Sequence, residues 1–327
     1  MAKKIRLGLI GCGGNMRNAH VPRFKNHPGL VLAAVCDPFE DALKLIVEKY
    51  GSPVPSFTDF RKMLNTVELD AVMISTPHNQ HFAQAKMALE KGLHVLVEKP
   101  LVIESKHAKA LLALAKKKKK ILHVSYQRHH TAVYRHLRAL VASGTIGKIQ
   151  SFTGYVTQNW IRAGGWRKDP VQSGGGMFMD TGSHLVASTM FLTGLEPLSV
   201  TAVVDNCGEP VDINAVVAIR CKGGALGNLT TIGSALLHDE VLTIHGDKGT
   251  LGLHQHQWKA LEIWLNGQIL EIPKNVPNDT PDVSFLQWVI GKNLKAYEAP
   301  IYALQVARLS EAVYASAKKG KTIKVKS

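Results

Sequence analysis

Short, almost uninterrupted apolar runs alternate with helix-period stretches over the first third of the chain. Ile5–Ile10, Val31–Cys36, Ala71–Ser75, His94–Val97 and Ile121–Val124 read as strands. Between them Asp41–Tyr50, Asp59–Leu64, His81–Lys91 and Glu104–Ala115 repeat apolar residues at helical spacing. Strands that lack polar alternation are buried on both faces, so this pattern predicts βαβ units and a parallel sheet covered by helices. Near residue 125 the pattern changes. A helix at Ala132–Ser143 is followed by strand-like runs at Ile149–Val156, Val200–Asp205, Ile213–Cys221, Gly227–Ile232 and Val241–Gly246. Helices return at Phe285–Gly291 and Ala303–Lys318, before a short strand-like tail from Thr322. The order predicts an α/β domain over 1–124 and an α+β domain with a large, mostly antiparallel sheet over 125–327.

Composition supports a folded chain. Its 327 residues suit two domains, and 45% apolar residues supply enough burial to offset the entropy of ordering them. A membrane span needs about 18 consecutive apolar residues, and no such run occurs. The start, Met1-Ala-Lys-Lys-Ile5, shows neither an apolar leader core nor a cleavage site. Cys12, Cys36, Cys207 and Cys221 are scattered and form neither a disulfide frame nor a zinc motif, so a reduced, cytoplasmic protein without metal is expected. The net charge of +15 raises the question of a nucleic-acid partner. Its one cluster, Lys116–Lys120, ends a helix, where cations favour the dipole and stay solvated. No nucleic-acid motif accompanies it, and neither nucleic acid nor membrane is expected as a partner.

Chemistry begins where the first strand ends. Gly11-Cys12-Gly13-Gly14 comes after Ile5–Ile10 and opens a helix, the arrangement that lets backbone N–H groups approach a pyrophosphate. Met16 stands where the dinucleotide fingerprint carries its third glycine, which predicts a displaced helix. Asp37 ends the next strand and suits the ribose hydroxyls, which favours NAD over NADP. Ser75-Thr76-Pro77 ends the fourth strand, at the edge where open α/β sheets bind ligands.

These residues, together with His81, Glu98-Lys99-Pro100, Tyr126-Gln127-Arg128 and Ser173-Gly-Gly-Gly176 through Asp180 to His184, resemble the Gfo/Idh/MocA oxidoreductases. The resemblance runs in order along nearly the whole chain. It implies a Rossmann domain binding NAD, followed by a substrate domain whose open sheet serves as a homodimer or homotetramer interface. It implies cofactor contacts at Gly11, Gly13, Gly14, Asn15, Met16, Asp37, Ser75, Thr76, Pro77, His81, Glu98, Lys99 and Arg128. It also assigns catalysis to Lys99, Asp180 and His184.

Oxidising a secondary alcohol requires a hydride acceptor, a base and a group that orients the hydroxyl. Asp180 and His184 are spaced i,i+4, and on a helix after Gly176 they would share a face. His184 is then the base, Asp180 its orienter, and Lys99 the cation that positions the hydroxyl. Many members of the family carry an Asp where this chain has Ala187, which predicts altered helix packing with the trio intact. Trp160, Arg162 and Trp166, alongside Lys99, Asp180 and His184, are the expected substrate contacts, since tryptophan faces stack on sugar and cyclitol rings. The expected activity is an NAD(P)-dependent dehydrogenase or reductase acting on a sugar, cyclitol or related polyol. Two alternatives stand beside it: a glycoside hydrolase that oxidises its sugar transiently, and a non-catalytic cofactor-binding regulator. The intact trio argues against the regulator.

Overall fold

The computed structural model describes residues 4–291, 295 and 297–326. In chain order it begins with β1 (Ile5–Ile10), α1 (Val21–Phe24), β2 (Leu30–Cys36), α2 (Glu40–Tyr50), β3 (Ser56–Phe57), α3 (Phe60–Thr66) and β4 (Ala71–Ile74). Next come α4 (His81–Glu90), β5 (His94–Val97), α5 (Ser105–Lys118), β6 (Leu122–Val124), α6 (Ala132–Ala142), β7 (Ile149–Asn159), α7 (Pro170–Ser173) and α8 (Gly182–Thr193). Strands β8 (Pro197–Asp205), β9 (Asn214–Cys221), β10 (Leu226–Ile232), β11 (Ser234–Gly246), β12 (Thr250–His256), β13 (Lys259–Leu265) and β14 (Gln268–Ile269) come after them. The chain closes with α9 (Pro281–Val289), α10 (Ile301–Lys319) and β15 (Ile323–Lys324). No helix among the described residues is long and apolar enough to cross a membrane.

Two compact units emerge. One comprises residues 1–102, 106–125 and 279–301; the other comprises 103–105, 126–278 and 302–327. A single break at 124/125 is the simpler division expected from the hydrophobic pattern. The difference lies in α9, whose Phe285 and Leu286 are fully buried in the same core as Leu7, Leu9, Phe24, Met73 and Leu96. Burying such a side chain contributes about 1.5–3 kcal/mol, which ties the segment to the first unit.

The first unit is a parallel sheet in the order β3-β2-β1-β4-β5-β6, the Rossmann arrangement. Strands β4, β5 and β6 are buried on both faces almost throughout, which explains their unbroken apolar sequence. The second unit is a nine-stranded sheet, β14-β13-β12-β11-β7-β10-β9-β8-β15, antiparallel except where β10 runs parallel to β7. Here the strands alternate: on β9 Ala215, Val217 and Ile219 are buried while Val216 and Arg220 face out. The expected strand at Val241–Gly246 is the C-terminal half of the longer β11, and β12 and β13 complete a hairpin that the hydrophobic pattern does not single out. Helix α8 is buried on nearly every side, as its all-round apolar sequence requires. The alternating strands bury one face of the sheet, and Leu185 of α8 is in van der Waals reach of Gly154 on β7.

Candidate active site

Strand register collects the first set of residues. Ile10 aligns with Cys36 and with Ile74, Ile74 with Val97, and Val97 with Val124. The residues just beyond these ends, Gly11, Asp37, Ser75, Glu98 and Ser125, therefore line one edge of the sheet. It is the carboxyl edge, and β1 and β4 flank the point where the strand order reverses.

Gly11 leaves β1 with φ +86°, and a Cβ there would stand 2.4 Å from the Ser75 carbonyl oxygen. No other residue type fits this turn. Gly13 and Gly14 differ: both are exposed, and an added Cβ would meet nothing within 4 Å at Gly13 and only Asn18 Nδ2, at 4.0 Å, at Gly14, a cradle for a phosphate at a helix start. Asp37 accepts from the Cys12 N–H at 2.8 Å and from the Phe39 N–H at 3.0 Å, one on each oxygen. Each oxygen keeps a further lone pair for a ribose hydroxyl. Burial pushes the Cys12 thiol up, so a neutral sulfur lies behind the cradle. A π-helical stretch, Met16–His20, comes after helical residues 14–15, and at its start Met16 is fully buried. Its side chain thus packs the core, and Asn15 reaches toward Ser75 Oγ at 3.4 Å.

Four of the expected cofactor contacts also have partners within the protein. His81 has no exposed surface; Nδ1 lies 2.9 Å from the Pro100 carbonyl oxygen and Nε2 2.9 Å from that of Thr76. It ties the loop after β4 to the loop after β5. Burial lowers its pKa, despite these backbone contacts. Thr76 in turn donates from its hydroxyl to Gln84 at 2.7 Å, and Pro77 precedes a single 3-10 turn. Glu98 is bonded to His20, and its successor Lys99 is half-buried at the same edge, joined to Pro100 by a cis peptide. Arg128 belongs to the second unit, where its two terminal nitrogens grip Glu240 in the interior.

In the second unit the expected helix after Gly176 begins later. Residues 177–181 are turns, and α8 starts at Gly182, so Asp180 stands just before the helix that carries His184. The glycine run is pinned by Asp212: Gly176 N–H donates to Oδ1 at 2.5 Å, Phe178 N–H to Oδ2 at 2.7 Å, and the Tyr314 hydroxyl to Oδ1 at 2.8 Å. A Cβ at Gly176 would collide with the Asp212 carbonyl oxygen at 1.9 Å. Asp180 Oδ2 accepts from Trp160 Nε1 and from Arg167 Nε, each at 3.1 Å. Trp160 is only 3% exposed, with its indole N–H on Asp180. Arg162 is exposed and Trp166 half-buried beneath the Arg167 guanidinium. Ala187 is fully buried within α8.

Sequence reasoning passes over Trp258. It lies between β12 and β13 in a turn where Gln257 and Trp258 both have positive φ, +46° and +69°. Bulky residues rarely adopt this conformation, and such strain gathers at functional sites. The indole meets the His184 ring edge-on at 5.2 Å, lies beneath the Arg128 guanidinium, and stays 41% exposed. Asp212, His20 and Asp282 are likewise unsignalled: only their burial as acids or imidazole marks them, and burial is invisible in a single sequence.

Comparison with known proteins places this geometry. Two profiles of one family match in order: the oxidoreductase family with NAD-binding Rossmann fold over residues 5–126, and the GFO/IDH/MocA C-terminal domain over 134–252. An uncharacterized oxidoreductase of Escherichia coli, YdgJ, is 31% identical over 208 residues, covering 62% of this chain and 57% of the relative. The chain thus spans little more than half the length of that relative. The inositol 2-dehydrogenase of Rhizobium meliloti is 26% identical over 266 residues, 79% of this chain and 78% of its own. GenD2 of gentamicin A biosynthesis, solved with NAD, shares the fold at a TM-score of 0.86 and 21% identity, over 100% of this chain and 98% of its own. The glycine cradle and Asp37 at the carboxyl edge fit NAD, and with both profiles matched in order, the chain belongs to the Gfo/Idh/MocA family of NAD-binding oxidoreductases.

Proposed function

We propose that the protein is an NAD-dependent dehydrogenase or reductase acting on a secondary alcohol of a sugar, cyclitol or related polyol. The observation that carries this reading is the alignment of strand ends, which sets Lys99 on the same sheet edge as the glycine cradle and Asp37. NAD, when bound, supplies the hydride acceptor. In this reading the Lys99 ammonium donates to the reacting hydroxyl and stabilises the oxygen as it loses its proton. His184 takes that proton, and Asp180, its carboxylate oriented by Trp160 and Arg167, sets the local charge. Arg162, Trp166 and the exposed face of Trp258 serve the ring and its substituents. The inositol 2-dehydrogenase relative supports a cyclitol or sugar as the substrate class.

The exposed face of the nine-stranded sheet, where Val203 is 72% and Val216 46% exposed, pairs with a second copy in this reading. Sedimentation of a monomer alone would remove that part. A cytoplasmic location accords with four free cysteines, and recovery of the protein outside a cytoplasmic fraction would overturn it. Nicotinamide absorbance tests the activity. Protein with NAD and a panel of inositols, aldoses, uronic acids and glycosides should show a steady rise with one compound. Bound cofactor with no compound oxidised would sink the dehydrogenase reading.

A further inference from the structure

Four charged groups converge behind Lys99, from three separate parts of the first unit. His20 ends the π-helical stretch, Glu98 comes directly after β5, and Asp282 stands in the first turn of α9 with Arg23 of α1 beside it. His20 is 2% exposed and Asp282 fully buried. The imidazole bridges two carboxylates: Nδ1 lies 2.5 Å from Asp282 Oδ1, and Nε2 lies 2.8 Å from Glu98 Oε1. Arg23 holds the other Asp282 oxygen at 2.9 Å. The remaining Glu98 oxygen, Oε2, accepts from the backbone N–H of Lys99 at 3.2 Å. On the far side, His81 fixes the Pro100 carbonyl.

We infer that His20 is a positioning residue for the proposed reaction: anchored by Asp282, it fixes the Glu98 carboxylate, and through it the backbone and charge environment of Lys99. This deepens the dehydrogenase reading and rests on it for the catalytic role of Lys99. Two features favour the role. A buried ion cluster is a poor device for stability, since apolar residues of the same volume do as well or better, so its place against Lys99 calls for another reason. The π-helical stretch also puts His20 at its end, and such irregular turns are characteristic of functional positions. Burial opposes a charge on His20, but Asp282 and Glu98 outweigh it and hold the imidazole protonated. Burial likewise opposes ionisation of Glu98, and His20, Lys99 and the Ser125 hydroxyl outweigh that too. The facing charges are therefore Asp282 and Glu98 against His20, with Arg23 and Lys99 beyond them.

The test uses His20→Gln, Glu98→Gln and the double variant, with Asp282→Asn as a milder probe should His20→Gln fold poorly. Misplacing a reacting group by about 1 Å costs on the order of 10²-fold, so His20→Gln should lower kcat by up to that factor. The NADH dissociation constant should stay near that of the unaltered protein. If His20 acts through Glu98, the double variant loses no more kcat than Glu98→Gln alone. Competitive acetylation of the Lys99 amine, read by mass spectrometry, should change relative to the other lysines in both single variants. Unaltered kcat and labelling in His20→Gln, or additive losses in the double variant, would overturn the inference. If the unaltered protein oxidises no polyol, the dehydrogenase reading fails, while the labelling still decides whether His20 governs Lys99.

Discussion

In the first unit five strand ends in register deliver Gly11, Asp37, Ser75, Glu98 and Ser125 to one edge, whereas in the second Asp180 stands before a helix and is held from outside it. The first arrangement is built by backbone pairing: Ser75 N–H bonds to Ile10, Glu98 N–H to Ile74, and Ser125 N–H to Val97, each at 2.8 or 2.9 Å. The second is built by side chains that arrive from distant segments, Trp160 and Arg167 on Asp180, and Asp212 and Tyr314 on the glycine run. A backbone-built edge keeps its shape when one side chain is lost, because the ladder remains. A side-chain-built site fails in parts. The two regions should therefore respond differently to substitution.

Removing the amine at the edge should have the largest effect. Lys99→Met is expected to lower kcat by roughly 10²–10⁴-fold, the range for a positioned proton-handling group, while NADH titration shows affinity little changed. Full turnover in that variant would take Lys99 out of the mechanism. The second region should yield next. Trp160→Phe and Arg167→Met each remove one donor from the Asp180 carboxylate, and a bond to a charged group contributes about 1.5–3 kcal/mol, so each should cost about 10- to 100-fold in kcat/KM. Because both donors meet the same oxygen, their combined loss should fall short of additive; strict additivity would show that they act separately.

At the edge, Asp37→Ala should weaken NAD by about tenfold or more, as loss of bonds to a charged acceptor implies, and NADP by less. An unchanged preference between the two, measured by titration, removes Asp37 from ribose recognition. Trp258→Ala should raise KM a few-fold with kcat retained, the pattern of binding lost equally from ground and transition states. A lowered kcat with normal KM would instead place the indole with His184 in the chemistry.

The smallest effect is on stability. The pKa of His20 is raised from 6.5 to about 10, with Asp282 and Glu98 outweighing its burial. A group raised on folding contributes fully below its unfolded value and loses that contribution as pH climbs toward the folded one. Glu98, lowered from 4.5 to about 2, contributes above its ordinary value and fades as pH falls. The melting temperature of the protein should therefore exceed that of His20→Gln most near pH 5–6, and the gap should narrow toward pH 10. A gap independent of pH would mean that His20 contributes packing and no charge.

The parallel domain was legible because its strands carry an unbroken apolar signature and its candidate ligand residues sit directly after them. Position after a strand is enough to put Asp37 and Lys99 at the carboxyl edge. The hairpin β12–β13 was not legible, because its turn places Gln257 and Trp258 in a conformation normally signalled by glycine or asparagine. The expected helix at Asp180 was displaced for a similar reason: Asp212, thirty-odd residues on, holds the glycine run as a turn through bonds that no local spacing reveals. His81, Trp160 and Arg128 are held by Pro100 and Thr76, by Asp180 and by Glu240, partners the linear chain does not display.

By itself the sequence determined the two kinds of layer, the carboxyl-edge order of the glycine turn, Asp37, Ser75 and Lys99, and the family these imply. Such features are local, set by the period of apolar residues and by the side chains placed directly after each strand. Only the tertiary structure decided which polar groups are spent on one another: His20 on Glu98 and Asp282, Arg128 on Glu240, Trp160 on Asp180. Those pairings join residues 20 to 262 positions apart. They are chosen by burial, since an ionised group leaves water only where the fold brings a partner to it.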